Sequence, residues 1–360
     1  GRVRWIGRER DLPPDLGELA VLDAEGGCVL PGFVDPHTHL VWAGSRRAEL
    51  CARLAGRRYD GGGIHTTVAA TTATPSAELV RLAEDRARAA LAAGTTTIEV
   101  KTGYGLTVGE ELRLLDVIAD LGRRTPQAVE ATYLVHVPPR DRDRAAHVAE
   151  TVAALPEARR RGARWCDVFC DRGAFSPEEA RTLLVAARAA GLGLRLHADQ
   201  LERTGAAQLA AAVGCASADH LDRVDEAGAS ALARSATVAV LLPTAALCTG
   251  SGGGNGARLL RAAGVPLALG TDCNPGTSWC ESMPYVVQVA CFATGLSVGE
   301  ALTAATRGSA RALHLDDAGH LAPGARGDLV VLAAEHEADL VAHLGAPAVR
   351  RVVVAGRVQD

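Results

Sequence analysis

The feature of this sequence that most constrains its fold is a regular alternation between short apolar segments and longer segments rich in alanine, leucine and arginine. The short segments have the length of β-strands. Several of them, such as Val238–Leu242, are apolar at every position, which is typical of parallel strands covered by helices on both faces. We predict eight strands: Val29–Val34, Thr95–Val100, Ala131–Val135, Trp165–Phe169, Leu192–Leu196, Ser217–Ala218, Val238–Leu242 and Val265–Leu269.

The longer segments predict helices between these strands, for example over Ala77–Ala93, Gly109–Gly122, Pro177–Ala190 and Ala206–Val213. Glycines stand where helices should end, at Gly94, Gly191, Gly214 and Gly264. Eight strands that alternate with helices indicate an α/β protein with a (β/α)8 TIM-type barrel. An open doubly wound sheet is the alternative, but no Gly-X-Gly-X-X-Gly motif follows an early strand.

The two ends of the chain have a different pattern, with short apolar runs separated by turn residues. We predict strands at Arg2–Ile6, Leu19–Leu22, Asp328–Leu332 and Arg351–Val354. Neither end is large enough to build a core alone. We therefore expect residues 1–31 and 324–360 to pair into a small β-sandwich domain beside a barrel domain of residues 32–323.

The composition narrows the range of functions. The net charge is −4, whereas a nucleic-acid-binding surface needs a basic stripe, so we expect no nucleic-acid partner. No apolar run is long enough to span a membrane, and we recognise no signal peptide. The nine cysteines form no Cys-X-X-Cys pair. This usage is typical of the reducing cytoplasm, where cysteines serve as small core residues.

Residues that can bind a metal follow the predicted strands. His37 and His39 point to the same side of an extended chain and can approach one ion together. A single His-X-His motif is a weak signal, but the same pattern recurs at other strand ends. Five of the eleven histidines and one aspartate lie at such positions: His37, His39, His136, His197, His220 and Asp272. The carboxyl ends of barrel strands converge on one face, so we expect these side chains to meet there.

Within this group, three histidines and one carboxylate suit a single zinc or iron ion: His37, His39, His197 and Asp272. Asp272 can also take a proton from water. His220 and His136 remain as a general acid or base, or as a clamp on a substrate oxygen. The other six histidines have no such context, and we predict surface or loop positions for them: His65, His147, His314, His320, His336 and His343.

Two stretches, Pro31–His39 and Gly270–Gly276, resemble the amidohydrolase superfamily. More narrowly, the chain resembles the imidazolonepropionase family of histidine degradation. The similar stretches occur in order along nearly the whole chain, at residues 37–46, 61–64, 99–106, 167–170, 196–200, 217–221, 241–243 and 271–278. The His-Thr-His motif is shared across the superfamily. The Lys-Thr-Gly-Tyr-Gly-Leu and Asp-Cys-Asn-Pro-Gly-Thr stretches are much more specific.

The resemblance implies a zinc or iron hydrolase that opens the cyclic amide ring of 4-imidazolone-5-propionate and forms N-formimidoyl-L-glutamate. By position, it implies these substrate contacts: Arg46, Tyr104, His136, Gln200, Asn274, Gly276 and Thr277. An arginine fork can grip the substrate carboxylate through two hydrogen bonds. The alternative is another amidohydrolase that acts on a cyclic amide or on a purine-like or pyrimidine-like ring. We also expect a homodimer.

Three features depart from the family pattern. Some members have glutamate where this chain has Gln200, and glutamine cannot transfer a proton, so we assign acid and base work to His220 and Asp272. The segment Leu247–Gly256 is glycine-rich where the family is more apolar, and we expect a mobile or poorly packed loop there. The N-terminal part is short, so we expect the small domain to lack its first strands.

Lys101 is the only lysine of the chain. Some members of the superfamily bridge two metals with a carbamylated lysine. That lysine follows a middle strand, whereas Lys101 follows the second, so we expect a single metal. The simpler interpretation is that Lys101 pairs with Glu99, two residues away on the same strand face.

Overall fold

The computed structural model describes residues 1–16, 20–57, 62–140 and 142–359. Its strands are β1 Val29–Pro31, β2 Phe33–Asp35, β3 Thr95–Lys101, β4 Ala128–Val135, β5 Trp165–Cys170, β6 Gly193–Ala198, β7 Ser217–His220, β8 Val238–Leu241, β9 Leu267–Leu269, β10 Leu329–Leu332, β11 Val349–Val354 and β12 Arg357–Gln359. Its α-helices are α1 Arg47–Leu54, α2 Ile64–Ala73, α3 Ser76–Ala92, α4 Val108–Arg124, α5 Arg144–Arg160, α6 Pro177–Ala189, α7 Ala206–Ala212, α8 Glu226–Ala233, α9 Pro243–Thr249, α10 Gly254–Ala262, α11 Met283–Thr294, α12 Val298–Thr303, α13 Ser309–Ala312 and α14 Asp339–Ala342.

Strands β2 to β9 form one eight-stranded sheet in chain order, and each pair of neighbours is parallel. The first and last strands meet just beyond their ends. The amide of Asp272 donates to the carbonyl of His37, and the amide of His39 donates to the carbonyl of Cys273, both at 3.0 Å. The predicted TIM-type barrel is therefore confirmed, and its closure lies within the predicted metal site.

The predicted first strand, Val29–Val34, is wrong as a single strand. It divides at Gly32 into β1, which pairs antiparallel with β10, and β2, which belongs to the barrel. A Cβ atom on Gly32 would lie 2.3 Å from Oγ1 of Thr96 on β3, so only glycine allows the chain to cross between the sheets so closely. The apolar pattern of the segment is the same on both sides of the crossing and does not reveal it.

The second sheet has the order β1, β10, β11, β12 and is antiparallel. The predicted small β-sandwich thus consists, within the described residues, of this one sheet built from both ends of the chain. The predicted strand Arg2–Ile6 is reduced to a single bridge between Arg2 and Arg326. In the predicted strand Leu19–Leu22, Leu19 lies outside the described residues, while Val21 and Leu22 are exposed and not in a strand. The domain boundaries stay a prediction.

The helices begin and end as their sequences indicate. Ser176 and Glu179 form a capping box around the first turn of α6, and Thr107 caps α4. All four glycines predicted to end helices, at 94, 191, 214 and 264, have positive φ angles. Strand β3 is buried along its whole length, as a parallel strand between barrel helices should be. Within the described residues, no helix combines the length and the apolar character that crossing a membrane requires.

Candidate metal centre and active site

A cavity of about 480 Å³ opens at the carboxyl ends of the barrel strands. The structure brings together residues that are far apart in the chain. Ten residues predicted from the sequence line this cavity: His39, Arg46, Tyr104, His136, His197, Gln200, His220, Asp272, Asn274 and Thr277. Of the other two, His37 is fully buried, and its ring lies 4.5 Å from that of His197, centroid to centroid. Gly276 lies against the guanidinium of Arg46.

The histidines form one compact cluster. The ring centroid of His37 lies 5.3 Å from that of His39 and 5.5 Å from that of His220. Oδ1 of Asp272 lies 3.5 Å from Nε2 of His37 and 3.4 Å from Nε2 of His39. Two sets of three residues in this cluster could each hold an ion. One set is His37, His39 and Asp272, and the other is His37, His197 and His220. Within each set, the possible ligand atoms lie within 4.8 Å of one another.

Two carboxylates fix the outer nitrogens of the cluster. Nδ1 of His37 donates to Oδ2 of Asp219 at 2.6 Å, and Nδ1 of His197 donates to Oδ1 of Asp167 at 3.0 Å. A carboxylate that holds one ring nitrogen of a histidine is the usual support of a metal ligand, because it sets the tautomer and aims the other nitrogen at the ion. Nε2 of His37 is buried without a hydrogen-bond partner in the described part of the chain. The donor set therefore fits a divalent ion.

Burial favours the neutral form of four imidazoles of the site, and neutral imidazole is the form that binds metals. Burial lowers the pKa values of His37, His39 and His136 well below their usual range, and that of His220 to about 3. Burial likewise raises the pKa of Asp272 above its ordinary value, although His220 and His197 act in the opposite direction.

Two residues of the site have an unusual backbone. His220 has a φ of 76° and Asp272 a φ of 49°, both in the left-handed region that residues other than glycine rarely adopt. Such strained residues are often found at functional sites, where surrounding contacts hold them in place. The amide of Asp272 is held by the carbonyl of His37, as described above. No sequence pattern predicted this conformation.

Lys101 lies beneath the cluster in β3 and is fully buried. Its Nζ lies 2.8 Å from Oε1 of Glu99, 2.8 Å from Oδ2 of Asp167 and 3.8 Å from Oδ2 of Asp219. Burial lowers the pKa of Lys101, but attraction by Asp167 and Glu99 outweighs it, so the pKa is raised and the side chain is a cation. The predicted pairing with Glu99 is present, together with two carboxylates that the sequence analysis did not assign to it.

Arg46 lies on the cavity wall in a narrow slot. Its Nε donates to Oε2 of Glu49 at 2.9 Å, and its Nη2 donates to Oε1 at 2.7 Å. Glycines flank its guanidinium, because a Cβ on Gly276 would lie 2.1 Å from Nη1 and a Cβ on Gly63 would lie 2.7 Å from Nη2. This pairing fixes the direction of the arginine toward the cavity.

Asn274 uses its side chain to shape the loop after β9. Its Oδ1 accepts from the amides of Gly276 and Thr277 at 2.8 Å, and its Nδ2 donates to the carbonyl of Asp272 at 2.6 Å. Thr277 in turn places its hydroxyl 3.5 Å from Oδ2 of Asp272. Asn274 thus links Gly276, the neighbour of Arg46, to the backbone of Asp272.

Buried carboxylates hold two other site loops. Glu111 of α4 accepts hydrogen bonds from the amides of Gly103, Gly105 and Leu106, at 2.5 to 2.8 Å, and so folds the loop around Tyr104. Asp171 accepts from the amide of Gln200 at 2.7 Å and from the two amides that follow. Sequence analysis missed both carboxylates. The signal for Glu111 was an acidic residue on an otherwise apolar face of α4, and the signal for Asp171 was an acidic residue directly after β5.

Some predictions about other residues were wrong. His65 on α2 lines the cavity, and His147 on α5 is buried with its ring stacked on Phe175, so neither is simply a surface or loop residue. The cavity is also lined by arginines that the sequence analysis did not assign: Arg140, Arg142, Arg144 and Arg172. The first of these could have been found, because it closely follows the strand end that carries His136.

The glycine-rich segment Leu247–Gly256 is not one long loop. Its first residues end α9, and Gly254–Gly256 begin α10. A Cβ on Gly256 would lie 2.2 Å from the carbonyl oxygen of Leu221, so glycine lets α10 pack directly against the chain that follows His220. The expectation of poor packing is therefore wrong for this part.

Comparison with known proteins identifies the family. The sequence model of the Amidohydrolase family matches residues 28–358. The chain belongs to the amidohydrolase family. This amidohydrolase is 48% identical to the imidazolonepropionase of Anaeromyxobacter dehalogenans over 99% of its own length and 88% of that protein. It is 45% identical to the imidazolonepropionase of Salinispora arenicola over 99% and 90% of the two chains.

The fold is also similar to that of solved amidohydrolase-fold proteins. A zinc complex of a mutant atrazine chlorohydrolase from Arthrobacter aurescens matches with a TM-score of 0.74 at 16% identity, over 97% of this chain and 86% of that one. At this identity the likeness concerns the fold alone. The family and its relatives' names together make this amidohydrolase a hydrolytic enzyme.

Proposed function

We propose that this amidohydrolase hydrolyses the ring amide of 4-imidazolone-5-propionate to give N-formimidoyl-L-glutamate. One observation carries the proposal. A buried cluster of metal-binding side chains lies at one end of a cavity whose wall holds Arg46 and Tyr104. The relatives named imidazolonepropionase support the same substrate. A small ring with one carboxylate arm matches a cavity that offers a metal site and a cation.

We propose that His37, His39, His197 and Asp272 hold one divalent ion, either zinc or iron. The lowered pKa values of His37 and His39 support this set, as does Nε2 of His37, which has no hydrogen-bond partner among the described residues. An ion bound there supplies a Lewis acid that polarises a carbonyl group and lowers the pKa of water. Lys101 supports a single ion, because an ammonium already sits between Glu99 and Asp167, where an anionic carbamate would be repelled.

The substrate carboxylate would bind Arg46, whose guanidinium lies on the cavity wall and is oriented by Glu49. The rings of Tyr104 and His136, 5.7 Å apart between centroids, offer faces against which a flat heterocycle can lie. Gln200, Asn274, Gly276 and Thr277 complete the proposed contacts. Gln200 can donate and accept hydrogen bonds but cannot transfer a proton.

The reaction adds water across the ring C–N bond. A proton leaves the attacking water, the bond between the carbonyl carbon and the ring nitrogen breaks, and that nitrogen takes up a proton. We assign both transfers to Asp272, because its carboxylate faces His37 and His39 at the end of the cavity. His220, neutral and facing the same cluster, would polarise the substrate oxygen through a hydrogen bond and assist the transfer.

A homodimer and a cytoplasmic location complete the proposal. Tyr285 and Phe292, seven residues apart on one face of α11, are exposed and apolar enough to support a contact with a second copy. All nine cysteines are free, which supports a reducing compartment. Sedimentation of the purified protein tests the first statement. A dimer that persists in a Phe292→Asp variant would contradict the assignment to this face.

The test of function is direct. Metal-replete protein is incubated with freshly prepared imidazolone propionate, and loss of its ultraviolet absorbance is followed together with product analysis by mass spectrometry. We expect one metal per chain and stoichiometric formation of the formimidoyl product. A protein that leaves this compound intact and instead hydrolyses a purine or pyrimidine ring would refute the proposed substrate while leaving the metal centre in place.

A further inference from the structure

The charges behind the metal-facing histidines form a closed group, which we call the carboxylate nest: Glu99, Asp167 and Asp219, with Lys101 and Arg195 as its cations. All five side chains are fully buried. Nη2 of Arg195 donates to Oδ2 of Asp219 at 3.1 Å and to the carbonyl of Pro36 at 2.7 Å. Thr132 donates to Oε1 of Glu99. Three buried carboxylates would repel one another strongly without these cations.

Within the nest, Lys101 lies close to both of the carboxylates that orient histidines of the cluster. Its ammonium contacts Asp167 and lies within ion-pair distance of Asp219. Asp167 holds Nδ1 of His197, and Asp219 holds Nδ1 of His37. One cation thus reaches both carboxylates, each of which orients a histidine of the cluster.

The supports differ in how firmly other groups hold them. Asp219 accepts a hydrogen bond from Arg195, while Asp167 has Lys101 as its cationic neighbour and accepts in addition from the backbone amide of His197. Glu99 anchors the ammonium from the other side and also accepts from the amide of Thr38, between the two histidines of the His-Thr-His motif. Carboxylates from three strands, β3, β5 and β7, therefore lie within 3.8 Å of one nitrogen atom.

We propose that Lys101 is a positioning residue of the metal centre, whose ammonium sets the orientation of His37 and His197 through Asp219 and Asp167. The inference rests on the single-metal centre of the proposed function. It explains why one lysine is present in a chain whose other basic residues are all arginines: the nest holds a compact ammonium between three carboxylates, and a planar guanidinium is larger.

The first experiment measures metal release. Wild-type protein and the Lys101→Met variant are loaded with Zn²⁺, and the metal is chased into an excess of a chromogenic chelator. We expect release from the variant to be about 10 to 100 times faster, which is the usual effect of losing a support of a metal ligand. The Arg113→Met variant is the control, because it removes a cation from α4 that contacts Glu110 and backbone carbonyls away from the nest.

The second experiment uses the wild-type chain, so that a variant that fails to fold does not leave the question open. Because Lys101 is the only lysine, protein labelled with ¹⁵N-lysine has one side-chain ammonium signal. We expect this signal to exchange slowly with water and to shift when Zn²⁺ is added to the metal-free protein. A signal that exchanges like that of free lysine, or one that zinc does not move, would overturn the inference.

The two proposals fail in different ways. If the wild-type protein binds no metal, the proposed function is wrong. If the wild-type protein binds one metal and the Lys101→Met variant releases it at the wild-type rate, the metal centre stands and the role of Lys101 is wrong. Co²⁺-loaded samples give an independent reading, since a changed position of the histidines alters the visible absorption of the bound ion, whereas a general loss of stability does not.

Discussion

A methyl group added at Gly276 tests whether the position of the Arg46 guanidinium matters for function. In a Gly276→Ala variant, the new Cβ would stand 2.1 Å from Nη1 and 2.5 Å from Cζ of Arg46. Ordinary carbon–nitrogen contacts are about 3.4 Å or longer, so the guanidinium has to move by roughly 1 Å. It cannot move away freely, because Gly63 also lies close to it and Glu49 holds two of its nitrogens. The φ angle of Gly276 is not positive, so alanine causes no backbone strain there.

Displacement of a positioned group by about 1 Å can cost on the order of 10²-fold in catalytic efficiency, which corresponds to about 3 kcal/mol. We therefore expect Gly276→Ala to raise KM by about 10- to 100-fold with imidazolone propionate, measured by steady-state loss of ultraviolet absorbance. The matched control is Gly109→Ala. Gly109 lies in the first turn of α4 with no atom within 4 Å of an added Cβ, so this change should leave the kinetics unaltered.

A double-mutant comparison tests whether the substitution at Gly276 acts through Arg46. If Gly276→Ala acts by moving Arg46, it should have little further effect in an Arg46→Ala background, because the two changes then remove the same contact. An intact Gly276→Ala protein with wild-type KM would show that the guanidinium is not needed in its present position. Independent, additive effects of the two substitutions would show that the loop, and not Arg46, transmits the change.

Three further predictions follow from the same site. His220→Ala should lower kcat by about 10²- to 10⁴-fold with the metal still bound, as measured by turnover and metal analysis on the same sample; near-native kcat would remove His220 from the reaction. Gln200→Ala should act mainly on KM, and Gln200→Glu should stay measurably active, whereas a large loss of kcat in the alanine variant would give Gln200 a chemical role. Glu111→Gln exchanges a carboxylate that accepts from three backbone amides for a group with one acceptor oxygen. We expect the free energy of unfolding to fall by about 1–3 kcal/mol and KM to rise because the loop around Tyr104 is less well held. A urea titration that shows unchanged stability would contradict this.

The barrel could be predicted from the sequence because its signal is local. Each parallel strand is a short apolar run, and each candidate metal-binding residue stands directly at the end of one, so chain order alone places Asp272 beside His37. The convergence of these ends is a property of the barrel and needs no contact information. For this reason, residues predicted from their position after a strand lie around one cavity.

Other features depend on contacts that the sequence does not state. The crossing at Gly32 needs knowledge of Thr96, and the slot around Arg46 needs knowledge of Gly63 and Gly276, more than 200 residues apart. His65 reaches the cavity from α2, away from any strand end, so the strand-end rule could not find it. The prediction of a poorly packed loop at the glycine-rich segment was wrong because glycine there allows close packing against Leu221. Composition alone does not distinguish this use of glycine from a loose loop.

The burial of Lys101 also has a consequence for chemistry at the surface. Reagents and enzymes that modify lysine, including those that attach acetyl groups or degradation tags, meet no lysine side chain on the folded form of these 360 residues. Acylation of Lys101 would require the barrel to open, so its extent, read from a single peptide by mass spectrometry, reports the population of opened molecules. Zinc should lower that extent by about tenfold for each 1.4 kcal/mol that the metal adds to stability, and coupling of the native protein to amine-reactive supports through lysine should fail.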